Sequence, residues 1–127
     1  MAQKFIPNWM RTFRFIAFEI TTKDQELILE KFVNHRSRTT IPSVAKFTSD
    51  NTLYNDIFDI CKRTVDICTQ DYFLSDAYYE TMQYVGDTKI QALIWQALSG
   101  NTAHTKNAIR QFDHSRDSDG NILGAYP

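Results

Sequence analysis

The chain lacks any apolar run approaching 18 residues, so its sequence offers no helix long enough to span a bilayer. Positive charge is not in excess either. The formal net charge is −1, whereas a protein held to nucleic acid by electrostatics needs a basic stripe. The opening Met1-Ala2-Gln3-Lys4 leads into a mixed segment with neither an apolar stretch nor a small-residue cleavage site, which does not read as a signal peptide. Cysteine is scarce, and Cys61 and Cys68 are both expected in one helix, about 10.5 Å apart along its axis. A disulfide needs Cα atoms within about 7 Å, so the two read as small buried hydrophobes. Neither makes a metal-ligand spacing with the scattered His35, His104 and His114, and no cofactor is implied. Internal repeats and low-complexity tracts are also missing.

What is there is one domain's worth of chain: 127 residues, 43% hydrophobic and 23% charged, enough to bury a core. Residues 12–20, Thr-Phe-Arg-Phe-Ile-Ala-Phe-Glu-Ile, are aromatic and β-branched on both alternating faces, as in a strand packed on both sides. Thr21-Thr22-Lys23-Asp24-Gln25 forms a turn, and Leu27 to His35 gives a second strand. Asp24 to Phe32 also fits a short helix. The run His35-Arg36-Ser37-Arg38-Thr39-Thr40, followed by Pro42, reads as a solvated connection.

From Ser49 the pattern becomes helical. Ser49 or Asp50 is placed to cap, and Leu53, Ile57, Ile60, Cys61, Thr64, Val65 and Cys68 follow at helical spacing. After an irregular segment, a helix of about four turns is expected from Thr81, ending at Gly100 in the left-handed conformation. A third helix, capped by Asn101 or Thr102, runs to about Ser115 with Ala103, Ala108, Ile109 and Phe112 on its inner face. Arg116 to Asn121 resembles half of a calcium loop. With Gly120 at the sixth position, however, Ser115 and Tyr126 fall where carboxylates are wanted, so a polar turn is the better description.

The second helix carries the functional signal. Glu80, Tyr84, Asp87 and Gln91 stand at i, i+4, i+7 and i+11, within about 60° of one meridian. Met82, Val85, Ile90, Ala92, Leu93, Ile94, Trp95 and Ala97 make the rest apolar nearly all round, the pattern of a buried helix. Trp95 belongs to the core. Two carboxylates in a buried seam need a reason. From chemistry alone, one reason is an acidic pair favoured by the positive end of the helix dipole.

A second reason comes from a resemblance. The phrase Tyr78-Tyr79-Glu80-Thr81-Met82-Gln83-Tyr84-Val85-Gly86-Asp87 resembles the signature of the bacterial α-L-rhamnosidases, roughly D-x-P-[YR]-[YR]-E-x-x-x-[YW]-x-G-D followed by a helix. Arg11 to Phe15, Phe47 to Asp50, and Asp119-Gly120 through Tyr126-Pro127 agree in order along the chain. The resemblance implies a mainly α fold with a short N-terminal β part. Residues 1–46 would be the last strands of a β-sandwich, and residues 47–127 the first helices of an α/α six-hairpin barrel. It further implies a fragment of an inverting glycoside hydrolase that removes terminal α-L-rhamnose from glycosides or polysaccharides, with neither nucleic acid nor membrane as partner.

In that family the residue matching Glu80 is the general acid. The residue matching Asp87 binds the sugar, those matching Tyr84 and Tyr79 face it, and the general base lies on a later barrel loop, downstream of this chain. The isolated 127 residues are therefore expected to be inactive. The sequence departs from the pattern at one place: the family aspartate falls on Ser75, with Asp76 one position later and Ala77 in place of proline. Either Asp76 takes the sugar contact by a small loop shift, or Ser75 supplies a weaker hydrogen bond. Burial beside aromatics favours a protonated carboxyl, and the tyrosines around Glu80 offer such a setting. The change at Ser75 also leaves open a non-catalytic carbohydrate-binding relative, and coincidence of motif would leave a plain helical interaction module.

Overall fold

The computed structural model describes residues 4–6 and 12–126, and the chain divides into two units, Met1–Ser37 and Arg38–Pro127. Regular structure among the described residues falls in the second unit: α1 Thr52–Ile67, β1 Gln83–Tyr84, α2 Val85–Ser99, α3 Ala103–His114 and β2 Ala125–Tyr126.

Helix α1 starts where an asparagine can close it. The Asn51 side-chain oxygen accepts from the Leu53 amide at 3.0 Å, while the Ser49 hydroxyl accepts from the Asn51 amide at 3.2 Å. Asn55 braces the same turn, accepting from the Ser49 amide and donating to the Ser49 carbonyl, both at 2.8 Å. The cap is thus Asn51, not the anticipated Ser49 or Asp50, because its carboxamide reaches the orphan amide of the first turn. At the other end Cys68 closes the helix and is buried, whereas Cys61 is exposed, against the reading of both as buried hydrophobes. The two thiols are free.

Helix α2 begins at Val85 and not at Thr81. Gln83 and Tyr84 pair antiparallel with Tyr126 and Ala125, and the Val85 amide donates to the Gly124 carbonyl at 3.0 Å. With its backbone committed to that ladder, the chain cannot continue the helix backward. The C-terminus is as anticipated: Gly100, at φ 65° and ψ 9°, donates its amide to the Gln96 carbonyl. A residue with a Cβ would be strained there. The Leu98 carbonyl accepts from both the Val44 and Ala45 amides, at 2.9 and 3.1 Å, which ties the preceding segment to the end of α2.

In α3 the Asn101 side chain accepts from the Ala103 amide at 2.7 Å. Ala108 and Phe112 face inward, but Ala103 and Ile109 are exposed, so the inner face is narrower than anticipated. The core is Val65, Phe73, Ala92, Trp95, Leu98, Ala108 and Phe112, with Ile41, Ala45, Phe58 and Tyr126 packed at its margin. Trp95, only 1% exposed, stands at its centre with the Phe73 ring edge-on at 6.2 Å and His104 at 4.3 Å. His104 in turn binds the Gln70 carbonyl through Nε2 at 2.8 Å.

Two connections differ from their sequence reading. Arg38 is ion-paired with the buried Asp66, and the Thr39 hydroxyl donates to the Gln70 carbonyl at 2.7 Å, so the basic run ends in anchored residues. The turn after α3 is polar, as read. Both Asp117 oxygens are taken by Asn121, and Asp119 donates its amide to the same carboxylate, which leaves a closed turn.

Residues 12–37 form neither of the two anticipated strands nor the short helix over 24–32. Phe18 and Phe32 meet edge-on at 5.1 Å, while Phe13, Phe15, Ile16, Ile20, Leu27 and Val33 remain exposed. The reason is the ladder. A strand satisfies its backbone only against neighbours, and a lone pair of strands is marginal in water.

Candidate active-site loop

Everything the sequence marks as functional lies between Leu74 and Gln91, but not on one helix. Asp87 and Gln91 are on α2, Tyr84 is its N-terminal cap residue within β1, and Glu80 stands in the loop before β1. The helical stripe of four is therefore a loop-plus-helix arrangement. Burial differs too. Helix α2 buries Thr88, Ala92, Trp95, Leu98 and Ser99, while Ile90 and Leu93 are 59% and 63% exposed, so one face of the helix is covered within this chain.

The loop is tied at its stem by two amide side chains. Gln83, fully buried, accepts from the Phe73 amide at 3.1 Å and donates to the Gln111 side chain on α3 at 2.9 Å. Gln91 donates to the carbonyl of the next residue, Leu74. Consecutive backbone groups, one donor and one acceptor, are thus held by two glutamines from β1 and α2. The Ser75 amide then donates to the Met82 carbonyl at 3.0 Å, and the Ser75 hydroxyl accepts from the Tyr84 amide at 3.2 Å. Across the loop the Tyr72 hydroxyl reaches the Thr81 carbonyl at 3.3 Å.

The tip is built on Asp76. Its Oδ1 accepts from the Tyr78 and Tyr79 amides at 2.5 and 2.6 Å, and its Oδ2 accepts from the Glu80 amide at 3.0 Å. The Asp76 amide closes the turn by donating to the Glu80 carbonyl at 3.1 Å. Amides donated to a carboxylate stabilise its charged form, and those of Tyr78 and Glu80, in that order, hold the Asp76 carboxyl below the usual aspartate range. Tyr78 and Tyr79 project from this tip with their rings edge-on at 4.6 Å, Tyr79 being 85% exposed. Glu80 is exposed beside them, and its neighbouring tyrosines do not enclose it as their number in the sequence suggested. Asp87 is exposed in the first turn of α2, where the positive end of the helix dipole favours a carboxylate.

Structure thus brings Ser75, Asp76, Tyr79 and Glu80 into one loop, with Tyr84 on the strand that follows it, and sets Asp87 at the head of the next helix. Gln91, which the sequence left without a role, braces that loop. Gln83 and Gln111 escaped the sequence reading altogether, because a polar side chain between Met82 and Tyr84 gives no sign that it is buried. The grip of Asp76 was within reach: an aspartate two to four residues before a tight turn commonly caps the amides that follow. Away from this loop, a cavity of about 400 Å³ is lined by Thr39, Asp71, Ala103, His104 and Asn107, none of them a predicted site residue. Among the described residues no helix is long and apolar enough to cross a membrane.

The second unit is thus three helices packed in sequence, with a carboxylate-bearing loop leading into the second of them. Residues 42–127 match the family model described as the bacterial alpha-L-rhamnosidase 6 hairpin glycosidase domain, and the chain belongs to that family. The match takes in every helix and strand above and the whole candidate loop. Comparison with curated proteins and with solved structures gave no match.

Proposed function

We propose that the chain carries the proton-donating half of an inverting α-L-rhamnosidase site, with Glu80 as general acid. One observation carries this: an exposed glutamate at the tip of a loop whose stem and turn are tied by side-chain hydrogen bonds, between two projecting tyrosines and the head of α2. In the reaction Glu80 gives its proton to the glycosidic oxygen as the bond from that oxygen to the anomeric carbon breaks. Water attacks the anomeric carbon from the opposite face and passes its proton to a second carboxylate. Inverting enzymes set the two carboxyls about 6.5–9.5 Å apart to admit that water. The base belongs to a later barrel hairpin, so the 127 residues alone supply no complete site.

The sugar contacts fall to Asp87, whose carboxylate accepts from hydroxyls, to Tyr84 and Tyr79, whose rings suit the apolar face of the pyranose, and to Ser75. On this account residues 47–127 open an α/α barrel, and residues 1–46, strandless among the described residues, become closing strands of a β-sandwich only when neighbouring strands pair with them. The test is the Glu80→Gln variant of the full-length protein. Turnover of an alkyl α-L-rhamnoside falls steeply while L-rhamnose still binds; undiminished turnover removes Glu80 from the chemistry. Sugar binding with no turnover by the unaltered full-length protein would instead mark a carbohydrate-binding relative.

A further inference from the structure

We infer that Asp76 is a positioning residue for Glu80, fixing through three amide hydrogen bonds the point from which the proton-donating side chain leaves the backbone. The inference rests on Glu80 being the acid. Three features of the loop support it. First, Glu80 and Asp76 are bonded twice, the Glu80 amide to the Asp76 carboxylate and the Asp76 amide to the Glu80 carbonyl, at 3.0 and 3.1 Å. Glu80 cannot shift without breaking at least one of these. Second, both carboxylate oxygens of Asp76 are aimed into its own turn, at three successive amides. Third, among the described residues no other side chain holds those amides, whereas the stem below is held separately by Ser75, Gln83 and Gln91. A rigid stem under a loosely set tip would leave the acid misplaced, and misplacement of a catalytic group by about 1 Å can cost on the order of a hundredfold in rate.

Asparagine separates this role from a sugar contact. In Asp76→Asn the remaining oxygen keeps the Tyr78 and Tyr79 amides, but an NH2 group faces the Glu80 amide, donor against donor. A sugar contact through the same residue would retain both a donor and an acceptor. The discriminating readout is the leaving group. A dinitrophenyl α-L-rhamnoside departs without protonation, whereas an alkyl α-L-rhamnoside needs the proton.

In the full-length protein, Asp76→Asn is expected to lower kcat on the alkyl rhamnoside by roughly ten- to a hundredfold while changing the dinitrophenyl rhamnoside by less than about twofold, with KM preserved on both. Asp76→Ala, which loses all three bonds, gives the same pattern with a larger loss on the alkyl substrate. Equal losses on both substrates, a rise in KM alone, or no loss would overturn the positioning role. Glu80→Gln is run beside them. If its own loss does not depend on the leaving group, the assignment of Glu80 fails, and that outcome is distinct from a failure confined to Asp76.

Discussion

Residues 12–37 and residues 38–126 both carry an aromatic or aliphatic side chain every few positions, and they dispose of them differently. In the first stretch Phe13, Phe15, Ile16, Phe18, Ile20 and Phe32 all remain exposed; in the second Phe73, Trp95 and Phe112 are buried around α2. Hydrophobic content does not separate the two. Backbone hydrogen bonding does. A helix satisfies its own amides and carbonyls and needs from its neighbours only a face to pack on, so three helices and their connections can close a core. A strand needs a partner along its whole length before its side chains have a sheet to stand on. Within the second stretch the same rule reappears in small: β1 exists because Ala125–Tyr126 returns to pair with it, and that pairing is what keeps Glu80 out of the helix.

The largest effect that would break this contrast is a core deletion. Trp95→Ala is expected to destabilise the folded unit by about 3–5 kcal/mol, comparable to the whole stability of many small domains. Phe15→Ala should stay within about 0.5 kcal/mol. Denaturant melts of the two variants followed by circular dichroism check the pair, and similar losses from both would mean that residues 12–37 have a core of their own. A smaller effect is expected at the loop stem. Gln83→Leu leaves the Phe73 amide without its side-chain acceptor and Gln111 without its donor, at a cost of about 1–3 kcal/mol. Equilibrium unfolding measures it, and an unchanged midpoint would show that the stem does not depend on the glutamine.

The smallest is a pH effect at the tip. Asp76 is held below the ordinary aspartate value by the amides it accepts, so the unfolded turn binds its proton first as pH falls. The contribution of Asp76 to the turn is therefore complete above about pH 4 and is lost as the pH drops from there through the depressed value. The amide resonances of Tyr78, Tyr79 and Glu80 should move together over that acid window. Movement centred at or above the ordinary aspartate value would contradict it. Asp117, held low chiefly by Asn121, should behave alike in the turn after α3.

Much of the second stretch was legible in the sequence. Its helices, the left-handed Gly100 and the burial of Trp95 follow from spacing, turn chemistry and composition. What was not legible depends on partners far along the chain. Helical spacing over Glu80, Tyr84, Asp87 and Gln91 is real in the sequence, but the ladder from Ala125–Tyr126 overrides it at the first two. The two-sided apolar pattern of 12–20 states a preference for a strand and says nothing about whether a neighbour is present. Of the site, the cluster of residues was visible while its mechanics were not. The sequence offers Asp76 as a candidate sugar contact and gives Gln91 no role, whereas in the structure both hold the loop that carries Glu80.

The central claim is that this well-tied loop exists to deliver a proton from Glu80. Its most direct test is the turnover of an alkyl α-L-rhamnoside, whose leaving group needs the proton, by full-length protein carrying Glu80→Gln, with L-rhamnose affinity measured on the same preparation. Loss of a general acid predicts a fall of roughly 10²–10⁴-fold in kcat with affinity unchanged. Turnover within about twofold of the unaltered protein would contradict the account.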